Sequence, residues 1–333
     1  MSDVRGIKTV LEPCKTILIS GHKSPDGDAL GAQLGLMLAL QKIGRTVTAQ
    51  NIDPVPEIYR FLPAADRIVV GRPVRGSYDA CIVLDSEPSR TGLFDTLPPA
   101  DILINIDHHI TNPCDWPHTW LDSSAAATGE MVFRLIREFG IAIDPEIALC
   151  LYTSIFTDTG SFRYTNTSPA CMRIAAELLE AGADPWLVTE NVYESCAFKR
   201  LKLLGSVLAV MERSRDGRVA WVVVTNELYR ATGTSAEDTD NFVNYVRSVK
   251  GVEVAILFRQ TASAEYKISL RSKGRVDLTR LSQSFGGGGH KNAAGGVVQG
   301  TLEEVLNRVV NEVGTTVETQ LGDGSAHPDG LRR

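Results

Sequence analysis

The chain has 333 residues, 43% of them hydrophobic and 22% charged, with a net charge of −6. That length suffices for two domains with sizeable cores, and the composition is neither that of a disordered segment nor that of a membrane protein. The acidic balance excludes a protein that coats long nucleic acid through a broad basic surface, yet admits a short anionic substrate in a metal-lined pocket.

Thr16–Ser20 is a compact apolar run that stops at Gly21, and Ala29–Ile43 then shows apolar residues at helical spacing. A strand, a polar loop and a helix follow one another, so His22, Asp26 and Asp28 fall in the loop at a strand's C-terminal end. In open α/β sheets that is where ligands bind. The pattern recurs: Arg45–Asn51 and Arg67–Val70 read as short strands, Asp79–Leu84 runs into Asp85, and Asp101–Ile106 runs into Asp107, His108 and His109. Apolar runs without alternation suit parallel strands covered by helices on both faces.

Ser123 or Ser124 can cap a helix from Ala125 to Phe139, and Asp144-Pro145 opens another that ends near Asp158. Ser168-Pro169 and Asp184-Pro185 start two more. From about Glu190 to Arg213 the pattern stays helical but increasingly charged, and Arg213–Gly217 reads as a turn. The predicted division is a catalytic domain over 1–190, a helical linker over 191–216, a smaller α/β domain with a mixed sheet over 217–318, and a disordered tail over 319–333.

The second domain reads as a strand over Val219–Thr225, a capped helix over Ser235–Val249, strands over Val252–Phe258 and Tyr266–Leu270, a short helix over Leu278–Phe285, and a final helix over Thr301–Val313. Between the last two helices lies Gly286-Gly287-Gly288-Gly289-His290-Lys291-Asn292-Ala293-Ala294-Gly295-Gly296. Consecutive glycines let backbone N–H groups approach an anion closely. Arg271 and His290, with Ser272, Gly288 and Gly289 beside them, are candidates to hold a terminal phosphate or base. His118 and His327 read as surface residues.

The six cysteines, Cys14, Cys81, Cys114, Cys150, Cys171 and Cys196, show no metal-knuckle or redox spacing and read as core thiols of a reducing cytoplasm. No basic segment leads an apolar signal core, and no run approaches a membrane span. A cytoplasmic protein is expected.

Six side chains can form one two-metal centre: His22, Asp26, Asp28, Asp85, His108 and Asp158. Mixed imidazole and carboxylate donors favour Mn²⁺ over an all-oxygen Mg²⁺ cage, with Zn²⁺, Co²⁺ and Fe²⁺ left open. With His22 and Asp26 on one ion, and Asp28, His108 and Asp158 on the other, Asp85 is the natural bridge. Such a pair can activate water and neutralise a phosphoryl oxygen.

These segments, His22-Lys23-Ser24-Pro25-Asp26-Gly27-Asp28, Leu84-Asp85-Ser86, Asp107-His108-His109 and Thr157-Asp158-Thr159-Gly160, resemble the motifs of the DHH phosphoesterase superfamily. The Gly-rich segment resembles that of its DHHA1 substrate-binding domain, so the resemblance runs from about His22 to Gly296. It is nearest to the bacterial oligoribonuclease and pAp phosphatase group, through Thr157–Tyr164 and Gly286–His290. Ala32 departs from the frequent Ser of relatives and contributes no ligand.

The resemblance implies that the six named residues are metal ligands and that His109 contacts the scissile phosphate, while Asp107 orients a histidine. Asp85, Asp107 and His109 are therefore the catalytic candidates, and Arg163 could meet a phosphate. The implied substrates are RNA oligomers of a few nucleotides and pAp, without long nucleic acid or membrane, and a homodimer is plausible by resemblance. The competing readings are a cyclic di-AMP or linear dinucleotide phosphodiesterase, a manganese pyrophosphatase and a nucleotide-sensing module.

Overall fold

A computed structural model describes residues 2–322, which divide between Ser195 and Cys196 into two compact units. Of the expected tail over 319–333, residues 323–333 lie outside the described residues, as does His327.

The first unit runs α1 (Val4–Leu11), β1 (Thr16–Ser20), α2 (Gly27–Lys42), β2 (Thr46–Asn51), β3 (Val69–Val70), β4 (Tyr78–Leu84), β5 (Ala100–Asp107), β6 (His118–Leu121), α3 (Thr128–Glu138), α4 (Pro145–Asp158), α5 (Pro169–Glu180) and α6 (Pro185–Tyr193). Its strands form one parallel sheet in the order β3-β2-β1-β4-β5-β6. The chain leaves β1 toward β2 and β3, then returns to pair β4 with the other side of β1. That reversal opens a crevice at the C-terminal ends of β1 and β4.

Ile17, Ile19, Ala80, Ile82, Ile104 and Ile106 bury one face of this sheet in a core shared with the helices. On the other face Leu18, Cys81 and Val83 pack against Val74, Phe94 and Trp116, so connecting segments cover this part of the sheet. Both faces are dry, which is why the strands carry unbroken apolar runs. Helices α2 and α4 approach closely: a Cβ added at Gly31 would lie 2.3 Å from the Cys150 carbonyl oxygen. No larger residue fits there without moving backbone.

The second unit runs α7 (Phe198–Ala209), β7 (Glu212–Arg213), β8 (Val219–Val224), α8 (Asn226–Thr232), α9 (Phe242–Ser248), β9 (Val254–Ala262), β10 (Glu265–Ser272), α10 (Thr279–Ser284), β11 (Gly288–His290), β12 (Ala293–Gln299) and α11 (Leu302–Leu321). Its sheet is mixed, ordered β11-β12-β10-β9-β8-β7, with β8 and β9 parallel and the remaining neighbours antiparallel.

Three of the elements expected from the sequence differ in extent. Helix α3 begins at Thr128 instead of Ala125. The single helix expected over Ser235–Val249 is a short 3₁₀ turn over Ala236–Thr239 followed by α9, because Asn241 between them takes a left-handed backbone (φ 63°). Finally, α11 continues past Val313 to Leu321, since Val313 and Val317 extend the buried stripe begun by Val305 and Val309. Residues 319–321 of the expected tail are therefore helical.

All six cysteines are free, and Cys14, Cys81, Cys150 and Cys171 are buried. Among the described residues no helix is long and apolar enough to cross a membrane.

Candidate metal centre

Three strand ends and two helix ends supply the site. His22 follows β1, Asp85 follows β4, and Asp107 ends β5 with His108 and His109 directly after it. Asp26 caps the N-terminus of α2, accepting the amides of Asp28 and Ala29 at 3.1 Å each through Oδ1. Asp28 lies in the first turn of α2, and Asp158 ends α4. Asp85 holds a left-handed backbone (φ 60°), a conformation carboxamide and carboxylate residues tolerate better than others and one found at functional sites.

The spacing among these groups suits side chains that share metal ions. His22 Nε2 lies 3.8 Å from Asp26 Oδ1 and 3.6 Å from Asp85 Oδ2. His108 Nε2 lies 3.6 Å from Asp28 Oδ2, 3.6 Å from Asp85 Oδ1 and 3.8 Å from Asp158 Oδ2. These distances exceed a hydrogen bond. Two donors each about 2.1 Å from one ion and about 110–120° apart would be separated by close to these values. Among the described residues three groups are close enough to hold an ion: His22 with Asp26 and Asp85, Asp28 with His108 and Asp158, and Asp85 with Asp107, His108 and His109. Asp85 turns one oxygen toward each histidine.

The donor atoms fit a metal on independent grounds. His22 Nδ1 donates to the Lys23 carbonyl at 2.8 Å, and His108 Nδ1 faces the Ala125 carbonyl at 3.3 Å. Carbonyls only accept, so Nδ1 carries a proton in both rings and Nε2 is the atom turned toward the carboxylates and available to a metal. His108 Nε2 is buried and has no hydrogen-bond partner among the described residues. An orphaned buried acceptor is costly unless a ligand satisfies it.

Electrostatics say the same. Burial pushes the Asp85 carboxyl well above the ordinary range, and the neighbouring Asp28 charge adds to the shift. Burial also raises Asp28 and lifts Asp158 to about 7, with the Asp28 charge as a further cause for Asp158. Burial works against a charge on His22, but its bonds to Asp26 and Asp85 outweigh it and raise the imidazole to about 10. Without an ion, the cluster keeps protons to offset its crowded carboxylates.

Asp107 and His109 behave differently. Asp107 Oδ1 accepts from His109 Nδ1 at 2.7 Å and from the His109 amide at 3.1 Å, while Asn112 donates to Oδ2 at 2.5 Å. Those are true hydrogen bonds, so the pair orients a ring and need not share an ion. Burial would raise Asp107, yet the bonds from His109 and Asn112 hold it below the ordinary carboxylate range. His109 is raised by the Asp107 bond, and its side chain is 45% exposed.

Several supporting residues carried no role in the sequence reading. Thr128 and Gly129 donate their amides to Asp28 at 2.8 and 3.1 Å, and Ser154 Oγ also donates to Asp28. The Thr128 hydroxyl donates to Asp85 at 3.0 Å, and Asn166 donates to Asp158 at 3.2 Å. Asn105 donates to the Val83 and Ser86 carbonyls, fixing the strand ends that carry Asp85 and Asp107. A buried Asn in an apolar strand was a legible signal, because it needs partners. The late start of α3 has the same origin: Ala125, Ala126 and Ala127 stay outside the helix, and Asp28 supplies the cap that the local sequence lacks.

Arg163 is exposed and donates through Nε to the Gly160 carbonyl at 2.6 Å. In the second unit Arg271 is half-buried on β10 and donates to the Leu270 carbonyl at 3.0 Å. Ser272 is not brought to the same face: it is buried, and its hydroxyl accepts the Gly274 amide at 3.0 Å. Gly288 and Gly289 lie in β11 with the backbone of His290, whose side chain is outside the described residues. Part of the glycine run is a packing requirement, since a Cβ at Gly287 would lie 1.8 Å from the Gly295 carbonyl oxygen.

Comparison with known proteins adds to this geometry. Residues 16–155 match the DHH family, N-terminal domain, and residues 211–319 match the DHHA1 domain. The chain is 36% identical over 300 residues to the bifunctional oligoribonuclease and PAP phosphatase NrnA of Thermus thermophilus, covering 89% of each chain. It is 27% identical over 289 residues to the protein of the same name from Bacillus subtilis, covering 84% of this chain and 88% of that one. Among solved structures, an exopolyphosphatase-related protein from Bacteroides fragilis superposes with a TM-score of 0.84 at 30% identity over 95% of both chains.

Proposed function

The chain belongs to the DHH family of phosphoesterases and carries a DHHA1 domain, and from that premise we propose that it hydrolyses very short RNA oligonucleotides to mononucleotides and removes the 3′-phosphate of pAp. The observation that carries the reading is Asp85, whose two oxygens each face one histidine-containing donor set. The names of both curated relatives support the substrate class. They do not favour a cyclic dinucleotide phosphodiesterase, a pyrophosphatase or a nucleotide sensor.

In this reading His22 and Asp26 would hold one ion, Asp28, His108 and Asp158 would hold a second, and Asp85 would serve both. When bound, the ions would activate water and neutralise charge on the phosphoryl group. The chain's own residues do the rest. Asp107 fixes the His109 proton on Nδ1, leaving Nε2 to meet a phosphoryl or leaving oxygen. The Asp107 bond raises the pKa of His109, which favours the proton-donating form of the ring. Amides at the start of α3 hold Asp28 in place, so the donor set is positioned before any substrate arrives. In the second unit Arg271, with Gly288, Gly289 and His290, contributes substrate affinity.

Mn²⁺ is the ion of this reading, two per chain, in a cytoplasmic homodimer whose state sedimentation would report. The reaction is tested by separating products after incubation of the Mn²⁺-loaded chain with pApA, pAp, cyclic di-AMP or pyrophosphate, with Asp85→Asn as control. The expected result is AMP from pApA and from pAp, absent in the variant. Turnover of pyrophosphate alone, or of none of the four, would overturn the proposal.

A further inference from the structure

Helix α4 delivers Asp158 in its last turn, and the backbone that follows is strained. Gly160, Ser161 and Phe162 have φ of 56°, 63° and 61°, three left-handed residues in succession. Every other left-handed position among the described residues stands alone. Glycine enters that region freely, whereas a Cβ crowds the following carbonyl oxygen. A bulky phenylalanine is an outlier there, and such a conformation persists only where its surroundings impose it.

Backbone bonds close the turn. The fully buried Thr159 accepts the Phe162 amide on Oγ1 at 3.1 Å, and its carbonyl accepts the amides of Arg163 and Tyr164 at 3.0 Å each. The Ser161 amide donates to the Phe156 carbonyl at 2.7 Å. Aromatic side chains then press it onto the helix. The Phe162 ring packs edge-on at 6.1 Å from Tyr152 and 5.8 Å from Phe156, both on α4, and Tyr193 at the end of α6 packs edge-on against Phe156 at 5.9 Å. Ser161 Oγ donates to the Tyr193 hydroxyl at 3.1 Å. A turn that only reversed the chain would form most easily with glycine at every position, so the phenylalanine is there for its ring.

Asp158 is the donor that most needs such help. Asp28 accepts bonds from the Thr128 and Gly129 amides and from Ser154, and Asp26 accepts two amides. Among the described residues the Asp158 carboxylate accepts only Asn166 Nδ2, at 3.2 Å. Asn166 lies just beyond the strained turn and also donates to the Asp158 and Ala126 carbonyls, at 3.2 and 2.9 Å. The path of the turn therefore sets both the end of α4 and the place where Asn166 returns to Asp158.

We propose that Phe162 and Tyr193 are positioning residues for the second ion: their rings hold Gly160–Phe162 left-handed against α4, and the turn so held aims the Asp158 carboxylate. This deepens the proposed function and rests on its two-ion centre.

The test is calorimetric titration of the full chain with Mn²⁺. Phe162→Ala keeps the Cβ that disfavours the left-handed backbone and removes the ring that enforces it. It should weaken one ion about tenfold, the same ion that Asp158→Asn weakens, and leave the other little changed. Phe162→Gly also lacks the ring but enters the left-handed region freely, so it should retain several-fold more of that affinity than Phe162→Ala. Loss of packing alone would lower the melting temperature of both variants without this difference. Tyr193→Leu, at a position 45% exposed, should show a smaller loss at the same ion and carries the test should Phe162→Ala not fold. Equal weakening of both ions, weakening of neither, or Phe162→Gly no better than Phe162→Ala overturns the proposal. If wild type binds fewer than two ions, the two-ion centre fails on its own account, and crystal structures of the metal-free chains decide. Asp158 Oδ2, 3.8 Å from His108 Nε2 in wild type, should then shift by more than about 0.5 Å in Phe162→Ala and less in Phe162→Gly. An Asp158 that stays in place in Phe162→Ala overturns the role of the ring.

Discussion

Thr128 donates its backbone amide to Asp28 Oδ2 at 2.8 Å across one hundred positions of sequence. The bond makes the N-terminus of α3 part of the metal centre, and the Thr128 hydroxyl extends the contact to Asp85. One residue thereby steadies a donor from each set.

Thr128→Val keeps the amide and removes the hydroxyl. Mn²⁺ affinity should fall on the order of tenfold, the usual scale for a group that supports a ligand, while the melting temperature of the metal-free chain changes little. Titration calorimetry reads both the affinity and the stoichiometry. An unchanged affinity would show that Asp85 needs no such support.

Asp107→Asn should lower kcat on the order of 10² with a small change in KM, since His109 loses the carboxylate that fixes its proton. The sign of the pH effect follows from the direction of the shift. Asp107 raises His109, so the active cation is lost as pH rises through that raised value. Removing the carboxylate lowers His109 and should move the alkaline limb of the kcat profile to lower pH. An alkaline limb that stays in place would assign it to another group.

Metal binding should release protons. Without an ion, burial keeps Asp85 above the ordinary range and Asp158 at about 7, and His22 stands at about 10. A divalent ion must displace those protons, so affinity should rise with pH between about 6 and 8 and the measured enthalpy should depend on the buffer's ionisation heat. Affinity independent of pH and buffer would mean that the donors are already deprotonated in the metal-free chain.

Two glycine substitutions should have opposite signs. Gly31→Ala sets a methyl group against the Cys150 carbonyl and Ser154 and should cost about 1–3 kcal/mol, read as a lower melting temperature. Gly314→Ala in α11 meets nothing within 4 Å and should stabilise by about 0.5–1 kcal/mol. Equal shifts would contradict the close approach of α2 and α4.

Much of the site could be read from the chain because parallel strands place their C-terminal ends at one edge. His22, Asp85 and His108 each end an apolar run, and that regularity alone predicts that they meet. What could not be read depends on contacts between distant segments. Ala125 begins no helix because the cap of α3 comes from Asp28, which no local pattern reveals. Ser272 follows Arg271 in a motif, yet strand alternation turns it to the other face. Arg259 follows an apolar run in β9 and nothing in the sequence marks it, since its buried Nε without a hydrogen-bond partner among the described residues appears only in three dimensions. Helix α1 and the edge strand β6 span only 8 and 4 residues, too short for a pattern in the sequence to stand out.

The most direct measurement is the number of Mn²⁺ ions bound per chain in wild type, Asp26→Asn, Asp158→Asn and Asp85→Asn, each after dialysis and metal analysis. A centre bridged by Asp85 predicts two ions in wild type, selective weakening of one ion in Asp26→Asn and of the other in Asp158→Asn, and weakening of both in Asp85→Asn. A single ion in wild type, or an Asp85→Asn chain that keeps one ion at full affinity, would contradict the shared carboxylate on which the account rests.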